Sequence, residues 1–150
     1  ESVRDRCTKA HEYMFLLSKG PRYYFDSDAM KEPAAGPGKQ CVPKNDASRK
    51  DTNRTGIVRG DGKTRNRRSV WAVATKPYKG AHFATFPPDL IEPCVLAGCP
   101  VGGIVLDPFG GSGTTAGVAI KHGRRAILCE LNPEYADLIP ARVQSIVSRT

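Results

Sequence analysis

Apolar residues fall into separate blocks along this chain, and their spacing changes from block to block. Tyr13-Met14-Phe15-Leu16-Leu17 and Arg22-Tyr23-Tyr24-Phe25 flank Ser18-Lys19-Gly20-Pro21, which predicts a hairpin with strands over 12–18 and 21–26. Between Lys39 and Arg68 the large aliphatics shrink to Val42, Ile57 and Val58, in a setting of Gly, Asn, Thr and Ser. Such a segment cannot bury a core and predicts an extended, flexible loop. RSVWAVATKP offers a fifth strand over 69–75. Pro88 to Ala97 reads as a short helix ended by Gly98, with Pro93 tolerable only near its first turn. Ile104-Val105-Leu106 and RRAILCE are short apolar runs of buried-strand type, over 103–106 and 125–130, separated by a helical segment that Gly123 terminates. From Pro133 to Ser148, residues Leu138, Ile139, Val143, Ile146 and Val147 recur at helical spacing, and Pro140 predicts a kink.

The junction IVLDPFGGSGTT, residues 104–115, carries the candidate chemistry. It is a strand, a tight glycine turn and a helix start, the local design of a nucleotide-type cofactor site at the carboxyl end of a parallel strand. Glycines let the backbone approach a ligand, and the helix start offers unpaired N–H groups. A P-loop would need Gly-Lys-Ser/Thr, whereas Thr114 and Thr115 follow Gly113. Gly111-Ser112-Gly113-Thr114-Thr115-Ala116 matches the letters of the dinucleotide fingerprint G-x-G-x-x-G/A. Asp107, however, would set a carboxylate close to a dinucleotide's pyrophosphate. An acid there suits a ligand with a cationic end, such as the amino and sulfonium groups of S-adenosylmethionine. The competing reading is an Asp107 that only caps the turn.

Glu130 closes the second apolar run about twenty residues beyond the glycine turn, the place where an acid accepts hydrogen bonds from ribose hydroxyls. Its alternative is a surface acid ahead of the helix that begins at Pro133.

Three segments together resemble the S-adenosylmethionine-dependent DNA amino-methyltransferases. Phe109, Gly111 and Gly113 occupy the fixed places of their F-x-G-x-G cofactor motif. GAHFATFPPDLI, residues 80–91, resembles the segment preceding that motif in the branch whose cofactor motifs lie towards the carboxyl end, with His82, Ala84, Phe86, Pro87 and Leu90 in place. Residues 1–26 resemble the portion that follows the catalytic strand in the same branch. The resemblance covers roughly two-thirds of the chain. It implies an α/β, Rossmann-like methyltransferase fold and S-adenosylmethionine as cofactor. It implies a cofactor contact set of His82, Phe83, Ala84, Thr85, Phe86, Asp107, Pro108, Phe109, Gly110, Gly111, Ser112, Gly113, Thr114, Thr115, Glu130, Leu131 and Asn132. The reaction implied is methyl transfer to the exocyclic amino group of adenine (N6) or cytosine (N4), as in bacterial or phage restriction–modification.

Family members clamp the flipped base with an Asp/Asn/Ser-Pro-Pro-aromatic tetrapeptide. The Pro-Pro pair here, Phe86-Pro87-Pro88-Asp89, has neither the polar first residue nor the aromatic fourth, so no catalytic residue is assigned. The cofactor fold needs about six strands, more than this chain supplies, so the sheet is expected to be incomplete. The expectation is therefore the carboxyl-terminal part of a longer enzyme or half of a split one, inactive alone, its partner being the missing amino-terminal part. A non-catalytic remnant and an NAD-binding oxidoreductase fragment are the rival readings.

The net charge of +8 sharpens the picture because it is concentrated. Between Lys39 and Arg68, ten Lys or Arg face three Asp (Asp46, Asp51, Asp61). Basic residues gain affinity for polyanions by releasing phosphate counterions. In the resembled family this interval is where target recognition is placed. Candidate contacts to double-stranded DNA are Arg4, Arg6, Arg49, Lys50, Arg54, Arg65, Arg67 and Arg68. The chain thus divides into a hairpin region (1–26), a basic loop (36–68) and a cofactor-binding region (69–150). Trp71 and the hairpin aromatics are expected to pack rather than stack on bases. Five cysteines form no C-x-x-C pair, so no metal site is expected and the thiols should be reduced. No run approaches the roughly 18 apolar residues of a membrane span, which points to a cytoplasmic protein.

Overall fold

A computed structural model describes residues 4, 5, 7, 10–34, 63–74 and 85–148. Their order is β1 (Lys31–Pro33), β2 (Thr64–Asn66), α1 (Pro88–Gly98), β3 (Ile104–Asp107), α2 (Thr114–Lys121), β4 (Arg125–Leu128), α3 (Pro133–Ala136) and α4 (Ile139–Val147). The architecture is mixed α/β with two small sheets, β1 with β2 antiparallel and β3 with β4 parallel.

The β3–α2–β4 unit is the centre. In register, Ile104 faces Arg125, Val105 Ala126, Leu106 Ile127 and Asp107 Leu128. Alternation along the strands gives the pair two unlike faces. Val105 and Ala126 pack with Ile91 against a core of Val95, Val118, Ala119 and Ile146, drawn from α1, α2 and α4. Val118 is 1% exposed, a burial that contributes about 2 kcal/mol. The opposite face carries Ile104, Leu106 and Ile127 beside Arg125, and it lies open, with Leu106 64% exposed. Parallel strands are ordinarily covered on both faces.

Each helix end has a local cause. α2 stops where Gly123 takes φ 73°, with Gly123 N–H donating to Ile120 O (3.0 Å) and Arg124 N–H to Ala119 O (2.8 Å). Arg124 is buried, and its guanidinium donates to three carbonyls: Cys99 O (3.0 Å), His122 O (2.6 Å) and Leu96 O (3.5 Å). It therefore caps α1 and α2 together. Beside it, His122 Nε2 and Lys121 Nζ reach Glu92 Oε1 of α1 at 2.6 and 3.5 Å.

Four expectations are corrected. Residues 12–18 and 21–26 form no strand, and most are exposed. The turn is present, since Ser18 Oγ donates to Gly20 O (2.8 Å), but no sheet among the described residues covers the aromatic side chains, and a lone two-stranded ribbon is marginal. Residues 69–74 likewise form no strand. The helix read over 133–148 is broken into α3 and α4, and Pro140 starts the second piece instead of kinking a continuous one. Pro93 stands inside α1, beyond its first turn, where its ring is buried in the packing. The β1–β2 pair was not expected; β2 falls within the segment read as loop, whose residues 36–62 lie outside the described residues.

Candidate cofactor site

The turn after β3 is built from its own backbone and two carboxylates. The β3–β4 pairing runs on past Asp107, with Cys129 N–H donating to Asp107 O (2.9 Å) and Gly110 N–H to Cys129 O (2.8 Å). The chain then folds back so that Gly113 N–H donates to Gly110 O (2.8 Å). This path places Gly111 at φ 52° and Gly113 at φ 89°, a region L-residues rarely adopt. Gly113 caps α2 without a side chain, and a Cβ there would meet Ile139 Cγ2 at 2.9 Å.

Asp107 and Glu130, at the carboxyl ends of neighbouring parallel strands, hold this turn from two sides. Asp107 Oδ1 accepts from Phe109 N–H (3.0 Å) and its Oδ2 from the Thr115 hydroxyl (2.6 Å). Glu130 Oε2 accepts from Gly111 N–H (2.7 Å) and its Oε1 from Asn132 N–H (2.8 Å). Asp107 is thus a turn cap, and Glu130 ties the glycine turn to the start of α3. A carboxylate has about four acceptor positions, so each retains capacity for a ligand's donors. Asn132 in turn caps α3, its Oδ1 accepting from Glu134 N–H (2.9 Å).

Beside the turn is an open pocket of about 480 Å³ between α1 and β3. Phe86, Asp107 and Thr115 line it, so Phe86 on one side and Asp107 on the other border one space although about twenty residues separate them, whereas Thr85 is half-buried and not part of the lining. The rest of the wall is mostly apolar and includes Ile91, Cys94, Val95 and Cys99. Sequence reasoning missed this wall, although Ile91, Cys94, Val95 and Gly98 recur at helical spacing along α1. Burial raises the Cys94 thiol above its ordinary range, with the nearby Arg67 guanidinium pulling the other way.

Other members of the expected set are dispersed. Ser112, Thr114, Thr115 and Gly110 are buried in the turn, whereas Phe109 and Leu131 are 86% and 99% exposed and Pro108 is exposed. His82, Phe83 and Ala84 lie outside the described residues, as do Arg6, Arg49, Lys50 and Arg54. Arg4 is exposed. Arg65 and Arg68 turn to Glu32, and the Arg67 guanidinium lies 5.2 Å over the Trp71 ring, whose Nε1–H donates to Arg68 O (2.8 Å). Among the described residues no group of three or more His, Cys, Asp or Glu is placed to hold a metal. No described helix is long and apolar enough to cross a membrane.

Comparison with known proteins extends beyond this geometry. The family described as DNA methylase (N6_N4_Mtase) matches residues 1–141. The chain is 47% identical over 143 residues to the type II methyltransferase M.SmaI of Serratia marcescens, covering 95% of this chain and 41% of that protein. It is 44% identical over 144 residues to the type II methyltransferase M.Cfr9I of Citrobacter freundii, covering 96% and 40%. A structure of a putative DNA modification methylase from Thermus thermophilus, complexed with S-adenosyl-L-methionine, is 27% identical at a TM-score of 0.38, over 68% of this chain and 52% of that one. The chain spans about two-fifths of the length of the curated relatives it matches.

Proposed function

The chain belongs to the N6/N4 DNA methylase family, and from that premise we propose that it is the part of a type II DNA methyltransferase that holds S-adenosylmethionine. The observation that carries this reading is the convergence of Asp107 and Glu130 on one glycine turn at the start of α2, next to the pocket that Phe86 borders.

The residues fit the cofactor's chemistry. Two half-buried carboxylates with spare acceptor positions suit ribose hydroxyls and a cationic amino acid end, and the apolar wall suits an uncharged ring. When bound, S-adenosylmethionine supplies an electrophilic methyl group. Glu130 would accept from the ribose while keeping Gly111 in place. Asp107 would face the cationic end, its orientation locked by Thr115 and the Phe109 amide. Phe86 would exclude water from the same space. The acceptor is the exocyclic amino group of adenine or cytosine in duplex DNA. Its clamp comes from the remainder of the enzyme, because no Pro-Pro-aromatic tetrapeptide occurs in these 150 residues. Most of the rate would then come from positioning the two reactants.

That remainder would also complete a Rossmann-like sheet in the cytoplasm. The open face of β3 and β4, with Ile104, Leu106 and Ile127, supports this: it needs a cover that the described residues do not provide. Titration calorimetry with S-adenosylhomocysteine and with NAD tests the cofactor reading. Heat from the former that falls at least tenfold in affinity on Asp107→Asn or Glu130→Gln is the expected result. Binding of NAD with no response to S-adenosylhomocysteine would overturn it.

A further inference from the structure

The described chain brings Lys31–Pro33 and Thr64–Asn66 side by side, and at their centre Glu32 stands directly opposite Arg65. Arg65 Nε donates to Glu32 Oε1 at 2.9 Å, and Arg68 Nε stands 3.8 Å from the same oxygen. One carboxylate oxygen thus takes a hydrogen bond from Arg65 Nε and stands at ion-pair distance from Arg68 Nε. The carboxylate is largely covered while Arg68 is mostly exposed. A third guanidinium, Arg67, is held on Trp71 next door. Three arginines within four residues and one acid among them leave a local excess of positive charge.

We propose that Glu32 is an internal stand-in for a DNA phosphate: it holds Arg65 and Arg68 together in the free protein and yields them to the backbone of bound duplex DNA. The inference rests on the duplex-binding reading above. A phosphate offers more oxygens than Glu32 Oε1 and matches the fork of an arginine bidentately, so it outcompetes a contact made through Nε alone. Glu32 then lowers the affinity for any polyanion, because each arginine must first be released from the carboxylate. This makes it a positioning residue for DNA, not a catalytic one.

The test is fluorescence anisotropy of a labelled DNA duplex with the 150-residue chain over a salt series, comparing Glu32→Gln, Arg65→Gln/Arg68→Gln and the triple variant. Glu32→Gln should bind several-fold more tightly at low salt. Its log–log salt slope should stay close to that of the wild type, because the same two arginines reach phosphate in both complexes. The double variant should have a shallower slope, and adding Glu32→Gln to it should change nothing. The single variant Arg68→Gln, which leaves the Arg65–Glu32 pair intact, should make the slope shallower by the equivalent of about one phosphate. Weaker binding by a Glu32→Gln variant with a wild-type circular dichroism spectrum would show that the pair merely props the strands, and the proposal would fall. An equal increase in affinity in the presence and absence of the two arginines would reduce it to net charge and also sink it. If the wild-type chain binds no duplex at any salt, the DNA-binding reading itself fails and takes this inference with it.

Discussion

Replacing Gly113 with alanine isolates what the glycine turn demands. Two costs apply there. The backbone sits at φ 89°, where an L-residue costs about 1–2 kcal/mol. The new Cβ also falls 2.9 Å from Ile139 Cγ2 and 3.3 Å from Ile139 Cβ and Cγ1, an overpacking worth about 1–3 kcal/mol. Against them, alanine restricts the unfolded chain and returns about 0.4–1 kcal/mol. The net loss is roughly 1–4.6 kcal/mol by this count. Gly111 is the internal control: its φ is 52°, but the nearest atom to its Cβ, Phe109 O, is 4.0 Å away. Gly111→Ala therefore bears the backbone cost alone, roughly 0–1.5 kcal/mol after the same offset. Urea unfolding followed by far-ultraviolet circular dichroism measures both. In an Ile139→Ala background, which removes Cγ1 and Cγ2, the cost of Gly113→Ala should drop towards that of Gly111→Ala. Equal losses for the two glycines, or no relief from Ile139→Ala, would refute the claim that Ile139 packs the turn shut.

Three further outcomes are expected. Arg124→Met leaves the ends of α1 and α2 without their shared donor and should cost about 3 kcal/mol, read as a lower melting temperature that Arg124→Lys restores only in part. At neutral pH iodoacetamide should label the exposed Cys7 and Cys129 before Cys94, as followed by peptide mass spectrometry. Because the folded Cys94 thiol titrates above the unfolded one, its stabilising contribution is complete below about pH 8.5 and is lost as pH rises through the folded value. A Cys94→Ala variant should therefore lose less stability than wild type as pH rises above about 8.5. Leu106→Lys, on the open sheet face, should change unfolding free energy by less than about 0.5 kcal/mol while reducing self-association in sedimentation velocity.

The β3–α2–β4 unit is legible because every signal in it is local. Ile104–Leu106, the glycine turn, Gly123 and the run ending at Glu130 each depend on residues a few positions apart. Where partners lie far along the chain, the pattern fails. Lys31–Pro33 and Thr64–Asn66 show no apolar alternation, and their pairing rests on backbone bonds and an ion pair between residues 33 apart. The aromatic stretch 12–26 has strand composition but no ladder beside it among the described residues, and β propensity without a packed neighbour does not make a strand. Pro140 misleads because one helical period crosses both α3 and α4, hiding the break at Asp137 and Leu138. At the site, Asp107 and Glu130 stand out by position, but their bonds to Thr115, Gly111 and Asn132 do not. Those contacts depend on the turn's folded path, which no spacing encodes.

The guanidinium of Arg124 also has a kinematic consequence. Bonded at once to Leu96, Cys99 and His122, and flanked by the Glu92–His122 link, it acts as a strut that makes α1 and α2 move as one body. The helical wall of the pocket is then fixed relative to the helix that the glycine turn begins. A ligand in the pocket therefore meets that wall as a preset surface, with Phe86 at its edge and Asp107 and Thr115 across from it. Pro87 and Pro88, whose rings fix φ where the chain enters α1, stiffen the approach to that wall from the Phe86 side.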